Sequence, residues 1–436
     1  MSRITRTPRL IAAVVTVAVA GLALATVPAQ ATLRNEVGVT DSSVTFGITV
    51  PMSGIAAPGY NKVAPAAQGY LDYINDSGGV FGRKVILKVE DDRYAPATAV
   101  SKTNKLILKD KVFGLAGSLG TATHLAVLKS INPGKRGIPD LFVSTGYSGF
   151  DNPKKYPTTF TYLPSYVMEG KIVGKLLASK FPGKKIAILY QDDDYGRDGL
   201  AGFKSAGTTF VSSKGYASGS QSSPGLGAQL TAFKAAGAEV VVLFGVSSAN
   251  GIAIATAAKL GFAPQWILGS VGGDATTLKA LGIPAALLNG AMGASFLPST
   301  SDDKDPYVAK FKEINEKYNK GKDKTWDNNI LVGMNMGMTL VTALRAAGKN
   351  LTRAGLVKAL EAKGGTFATA GLVPLGYSAT SHAGYTGYWF GAYDAAGNLV
   401  PDGGKYTIYT TDSGSGAVVT STYVRPAMPA NAIPNN

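Results

Sequence analysis

"KIAILYQDDDYGRDGLAGFKSAG", residues 185–207, decides how the rest of the chain is read. An apolar run, Ile186–Tyr190, stops on a polar cluster, and a glycine-bearing amphipathic run follows. Short apolar runs closed by turn residues read as buried strands, and the longer periodic run after the turn reads as a helix. A strand that feeds a helix in this way is half of a βαβ unit, and repetition of the unit implies a parallel sheet covered on both faces. Asp192, Asp193 and Asp194 sit at the turn. At least one is expected to cap the helix. Adjacent side chains diverge, whereas carboxylate metal sites draw ligands from separated positions, so no metal site is read here.

The same rhythm extends in both directions. Upstream, "SVTFGITV" (43–50), "KVILKVED" (84–91), "VFGLAG" (112–117) and "PDLFVST" (139–145) read as strands, with helical runs between them at 65–75 and 98–110. Downstream, a helix at 166–181 precedes "KIAILY", and "EVVVLFG" (239–245) and "QWILGS" (265–270) alternate with further helices. The alternation therefore runs twice. A helical block spans about 305–362, and 384–410 reads as antiparallel strands. The expected fold class is α/β, with two Rossmann-like lobes of parallel sheet joined by a multi-strand hinge. The expected divisions are 42–163 with 292–384 for the first lobe and 164–291 with 385–424 for the second. Residues 425–436 are left as a tail. At 436 residues, two lobes suit the length.

Residues 1–31 read as a secretory signal peptide. Arg3, Arg6 and Arg9 precede an apolar stretch of about 15 residues, too short to span a bilayer, and Ala29-Gln30-Ala31 offers a cleavage site. An extracytoplasmic protein follows from this. The chain has no cysteine, so neither a disulfide nor a lipid-bearing thiol is expected. Net charge is +15, about +12 without the leader arginines, but the lysines are scattered and not interleaved with aromatics. Nucleic acid is therefore not an expected partner. No phosphate-binding loop, nucleophile elbow or metal-binding helix motif is present, and no cofactor or metal is expected.

Four strands end alike, in "SLGTAT" (118–123), "TGYSG" (145–149), "VSSANG" (246–251) and "VGGDAT" (271–276). Ligands in open α/β sheets sit beyond the carboxyl ends of strands. Small residues let backbone amides approach a ligand, and helix N-termini there favour an anion. Two such loops fall in each lobe, so the site is expected between lobes. Of the only two histidines, His124 opens a helix beside one of these loops. Two readings stay open beside a binding protein: a secreted hydrolase using His124 and Asp193, and a sensory domain acting through a membrane partner.

Three stretches carry a resemblance. "YINDSGGVFGRKVILKVEDDRYAPATAVSKTNKLI" (73–107), "QDDDYGRDGLAGFK" (191–204) and "AQLTAFKAAGAEVVVLFG" (228–245) resemble the type I periplasmic binding proteins that serve ABC importers of branched-chain amino acids. The resemblance implies a monomeric receptor that delivers a small-molecule ligand to permease subunits. It further implies that Thr121, with Leu119 and Gly120, meets the ligand carboxylate. Gly146, Tyr147 and Ser148, with Thr145, would hold the head group. Tyr195 would cover the ligand, and Tyr60 and Ser53 would form a further wall. The family's amino-acid binders usually place an acid in the loop that here reads Ser270, Val271. The matching position is Val271, and Asp274 stands further on, in the next helix. That departure resembles branches that bind aromatic or other organic acids.

Overall fold

The computed structural model describes residues 1–2 and 36–435, so the leader reading lies almost wholly outside the described residues. The first lobe opens with β1 (Ser43–Val50), α1 (Val63–Asp76), β2 (Lys84–Asp91), α2 (Pro96–Asn104), β3 (Gly114–Ala116), α3 (Thr121–Ser130), β4 (Asp140–Val143) and β5 (Thr159–Thr161). These five strands form one parallel sheet in the order β2-β1-β3-β4-β5. Phe46, Ile48 and Val50 of β1 are fully buried because helices cover both faces.

The second lobe repeats the plan. It holds α4 (Tyr166–Lys180), β6 (Ile186–Gln191), α5 (Asp194–Ser205), β7 (Ser212–Tyr216), α6 (Gly227–Ala235), β8 (Val240–Phe244), α7 (Ser247–Lys259), β9 (Gln265–Leu268), α8 (Ala275–Ala280), α9 (Ala285–Leu288) and β10 (Met292–Ser295). Its parallel part runs β7-β6-β8-β9-β10, the same winding as the first sheet. Both lobes are therefore doubly wound α/β units, each with a switch point between its first and third strands.

The chain next forms α10 (Pro306–Tyr318), α11 (Asn328–Ala347) and α12 (Arg353–Lys363). Helix α11 packs along α1, on the first lobe. It is apolar and long enough to cross a membrane by length and composition, yet 72% of that stretch is buried, as in the core helix of a globular domain. Last come β11 (Tyr388–Tyr393), β12 (Leu399–Pro401), β13 (Ile408–Thr410) and β14 (Val419–Thr420), which extend the second sheet in antiparallel fashion from β10.

Two features differ from the sequence reading. Met292–Ser295 was placed in the first lobe, but β10 pairs with β9 and β11 and so completes the second sheet. Its small residues, Gly293 and Ala294, gave no strand signal of their own. The tail is also anchored. Arg425 donates to Asp305 and to the Ala370 carbonyl (3.0 Å), with its guanidinium 4.7 Å over the Tyr307 ring. Tyr73 donates to Asn431 O at 2.7 Å. After β14 the chain thus returns to the first lobe, adding a crossing to those near 162–166, 296–305 and 384–388.

Candidate functional site

The aspartates of the opening stretch separate by role. Asp193 caps α5, accepting from Tyr195 N (3.0 Å) and from Gln191 Nε2 (2.6 Å). Asp192 pairs with Arg197 at 3.0 Å on the surface. Asp194 occupies the first turn of α5, where a negative charge suits the helix dipole.

A cavity lies between the lobes. The first lobe supplies Tyr60, Val63, Tyr94, Leu119, Gly120, Thr121 and Ser144, together with Asn328, Asn329 and Val332 from the start of α11. Tyr166, Tyr195, Val246, Ser270 and Val271 face them from the second, and Leu163 and Phe296 close the side where the chain crosses over. The mostly apolar, aromatic wall is that of a small-molecule site.

Among the described residues, no charged side chain lines this wall. Tyr60, Tyr94, Tyr166 and Tyr195 all have hydroxyls raised above the usual phenol range by burial, Tyr60 to about 12, so the aromatic wall is neutral. Two buried hydroxyls on the wall, Ser144 Oγ and Tyr195 Oη, have no hydrogen-bond partner within the protein. Buried polar atoms are nearly always paired, so these two stand out as exceptions on the wall.

The two helix N-termini at the cavity differ. Helix α7 begins at Val246 without a side-chain cap of its own, but Ser247 N donates to Tyr60 Oη from the other lobe at 3.3 Å. Helix α3 begins at Gly120, whose φ of 107° a side chain would strain, and no side chain caps it. Gly120 and Thr121 line the wall, and an uncapped helix N-terminus favours an anion. Thr121 Oγ1 and Thr145 Oγ1 share a 2.7 Å hydrogen bond just behind.

Asp274 does not line this cavity. It caps α8 through Thr277 N (2.6 Å) and accepts from Asn328 N (3.1 Å) at the start of α11. Glu169, behind Ser270, is fully buried and accepts from Ser270 N (2.6 Å), Ser270 Oγ (2.8 Å) and Tyr388 Oη (3.2 Å). Burial pushes it up to about 7 against those bonds. It fixes Ser270 on the wall without reaching the wall itself.

Of the sequence-derived candidates, Tyr60, Leu119, Gly120, Thr121, Tyr195, Ser270 and Val271 stand together on the wall. The other five stand elsewhere. Ser53 is exposed and donates to Asp91. Thr145 is the buried partner of Thr121. The Gly146 carbonyl accepts Tyr166 N at 2.8 Å. Tyr147 packs edge-on to Phe150, and Ser148 binds Asp198 through its amide (2.7 Å) and hydroxyl (2.8 Å). Sequence reasoning missed Tyr94 and the Asn328–Val332 face. Tyr94 follows a strand end, but its approach depends on left-handed backbone at Arg93 (φ 56°) and Tyr94 (φ 59°), braced by Asp92, which no pattern announces.

The lobes are closed on each other. Tyr60 Oη donates to Val271 O at 3.0 Å, Gln191 Nε2 to Tyr94 Oη at 3.4 Å, and Asn329 Nδ2 to Thr277 Oγ1 at 3.3 Å. With the Ser148–Asp198 and Asn328–Asp274 bonds, these tie the two walls together around the cavity.

The sequence profile of the family described as "Periplasmic binding protein" matches residues 43–398. A Leu/Ile/Val-binding protein homolog 3 of Brucella melitensis is 26% identical over 48% of this chain and 56% of its own length. A homolog 7 of Brucella abortus is 26% identical over 65% of this chain and 74% of its own. Among solved structures, a fatty acid ABC transporter substrate-binding protein of Thermomonospora curvata superposes with a TM-score of 0.69 at 21% identity, covering 89% and 93% of the two chains. A branched-chain amino acid ABC transporter protein of Thermus thermophilus with bound valine gives 0.72 at 22%, covering 83% and 96%.

Proposed function

The chain belongs to the periplasmic binding protein family, and on that premise we propose that it is the solute receptor of an ABC importer for a small, largely apolar carboxylic acid. It acts outside the cytoplasm, captures the acid between its lobes and hands it to membrane permease subunits. No bond is made or broken.

The observation that carries this reading is the neutral wall. An acid can place its carboxylate at the N-terminus of α3, which no side chain caps, with the unpartnered hydroxyls of Ser144 and Tyr195 on residues of the same wall, and its apolar body against the aromatics. A zwitterionic amino acid would also bury an ammonium, and the acid that could pair with it, Asp274, is spent on backbone amides. An unpaired buried charge is costly. The groups a hydrolase would use are committed too: His124 is buried and held by Asp140 at 2.8 Å, and Asp193 caps α5.

Closure supplies the mechanism. Only the closed form lets both lobes touch the solute, so binding shifts the population towards it. The names of the relatives favour a branched-chain amino acid as the second reading. A thermal-shift panel separates the two. Aliphatic and aromatic acids are expected to raise Tm by mass action, with branched-chain amino acids leaving it unchanged. A rise with the amino acids alone would overturn the proposal.

A further inference from the structure

Two turns of the first lobe repeat a motif that the solute site does not use. In Asn132-Pro133-Gly134-Lys135 and Asn152-Pro153-Lys154-Lys155, the asparagine Oδ1 accepts the amide three residues on, at 3.1 and 3.0 Å. The turns are neighbours, since a Cβ on Gly134 would lie 2.9 Å from the Pro157 ring. Together they present Lys135, Arg136, Lys154 and Lys155, all exposed, beside exposed Lys129 at the end of α3. Among the described residues, none of these five cations pairs with a carboxylate; the surface ion pairs use other lysines and Arg197. Lys155 rests only over the Tyr156 ring, at 5.0 Å.

This patch borders a groove with walls from both lobes. Lys129, Lys155, Leu125, Tyr147 and Tyr156 come from the first lobe and Asp194 from the second. The two hydrogen bonds from Ser148 to Asp198 fasten the walls alongside it. The groove therefore has its present shape only while the lobes are closed.

We propose that this groove docks an acidic, aromatic-bearing external segment of the membrane partner and thereby reads closure. This rests on the receptor reading above and names the chemistry of its partner. Five unpaired cations call for an anionic counterpart. The leucine and tyrosine floor calls for an apolar anchor that a phosphate polymer lacks, and Asp194 in the far wall repels a continuous polyanion. A segment bound across both walls is held by the closed form and not by an open one.

The test titrates a labelled peptide in which glutamates spaced by neutral residues flank one tryptophan against the full chain, with inorganic polyphosphate of matched charge in parallel. The wild type is expected to bind the peptide with an affinity that falls as salt rises. K135E/R136E/K154E/K155E is expected to lose at least about tenfold while keeping its Tm, because rim charges carry such contacts. Equal peptide binding by the variant overturns the proposal, as does binding of polyphosphate in place of peptide. Running the acid panel on both proteins keeps the two readings apart. Shifts preserved in the variant with peptide binding lost support docking. Peptide binding lost in the variant with no shift in either protein leaves the docking surface standing and removes the solute reading.

Discussion

Tyr60 does three things from one position. Its ring walls the cavity, its hydroxyl donates to Val271 O, and the same oxygen caps α7 through Ser247 N. All the bonds cross between lobes, so they exist only on closure. Replacing Tyr60 with Phe leaves two buried backbone groups short of a partner, a cost of about 1–3 kcal/mol. Solute affinity, measured by titration calorimetry, is expected to fall about tenfold or more, with little change in the Tm of the solute-free protein. Val271 tests charge. A glutamate there would put a carboxylate on a wall built for an anion, where like charges cost several kcal/mol. V271E is expected to weaken acid binding by more than about 100-fold, and unchanged affinity would contradict the neutral-wall account. Residue identities at strand ends were legible because Gly, Ser and Thr there have a physical reason to approach a ligand. The strand-end loops contain Thr121 and Ser270, which stand on the cavity wall, and Ser148, whose polar groups bind Asp198 across the lobes, whereas Tyr60 was singled out only through the family resemblance.

At the scale of elements, the caps explain why the site is neutral. Asp193, Asp274, Asp305 and Asp327 each cap a helix, α5, α8, α10 and α11 in turn. Asp274 also receives Asn328 N from the other lobe, so an acid near the loop that often serves the ligand here serves closure. Its replacement by alanine removes a cap worth about 1 kcal/mol and a bond between lobes worth about as much. D274A is expected to lower Tm by a few degrees and to weaken all bound acids by a similar factor, leaving their ranking intact. A changed ranking in competition titrations would mean that Asp274 touches solute. The strands of both parallel sheets were legible wherever apolar runs met turn residues. Strands β5, β7 and β10 were not, because Thr159–Thr161, Ser212–Tyr216 and Met292–Ser295 are short, polar or small, and pair only because a neighbour is already in place.

For the whole molecule, buried acids set the response to pH. Burial raises Asp92, Glu169 and Asp327 each to about 7, from ordinary values of 3.8, 4.5 and 3.8. A carboxyl whose folded pKa lies above its unfolded value favours folding while protonated. That contribution is complete below about 4 and is lost as pH rises to about 7, each unit being worth about 1.4 kcal/mol. Tm is therefore expected to fall between about pH 4 and about pH 7, and Glu169→Gln to flatten part of that slope. A Tm that rises across this window in both proteins would contradict the burial of these groups. The two-lobed architecture followed from the doubled βαβ rhythm, which is a property of the whole chain. The return of the tail to Tyr73 and Asp305 was invisible, since it rests on single contacts with no period.

The most direct test compares an acid with its own α-amino derivative, so that only the ammonium differs. Titration calorimetry of 4-methylpentanoate against leucine, and of 3-phenylpropanoate against phenylalanine, isolates the charge that the cavity wall cannot pair. The account predicts that at least one acid binds and that its amino-acid counterpart binds far more weakly. Tight binding of leucine or phenylalanine, with both acids inert, would contradict it.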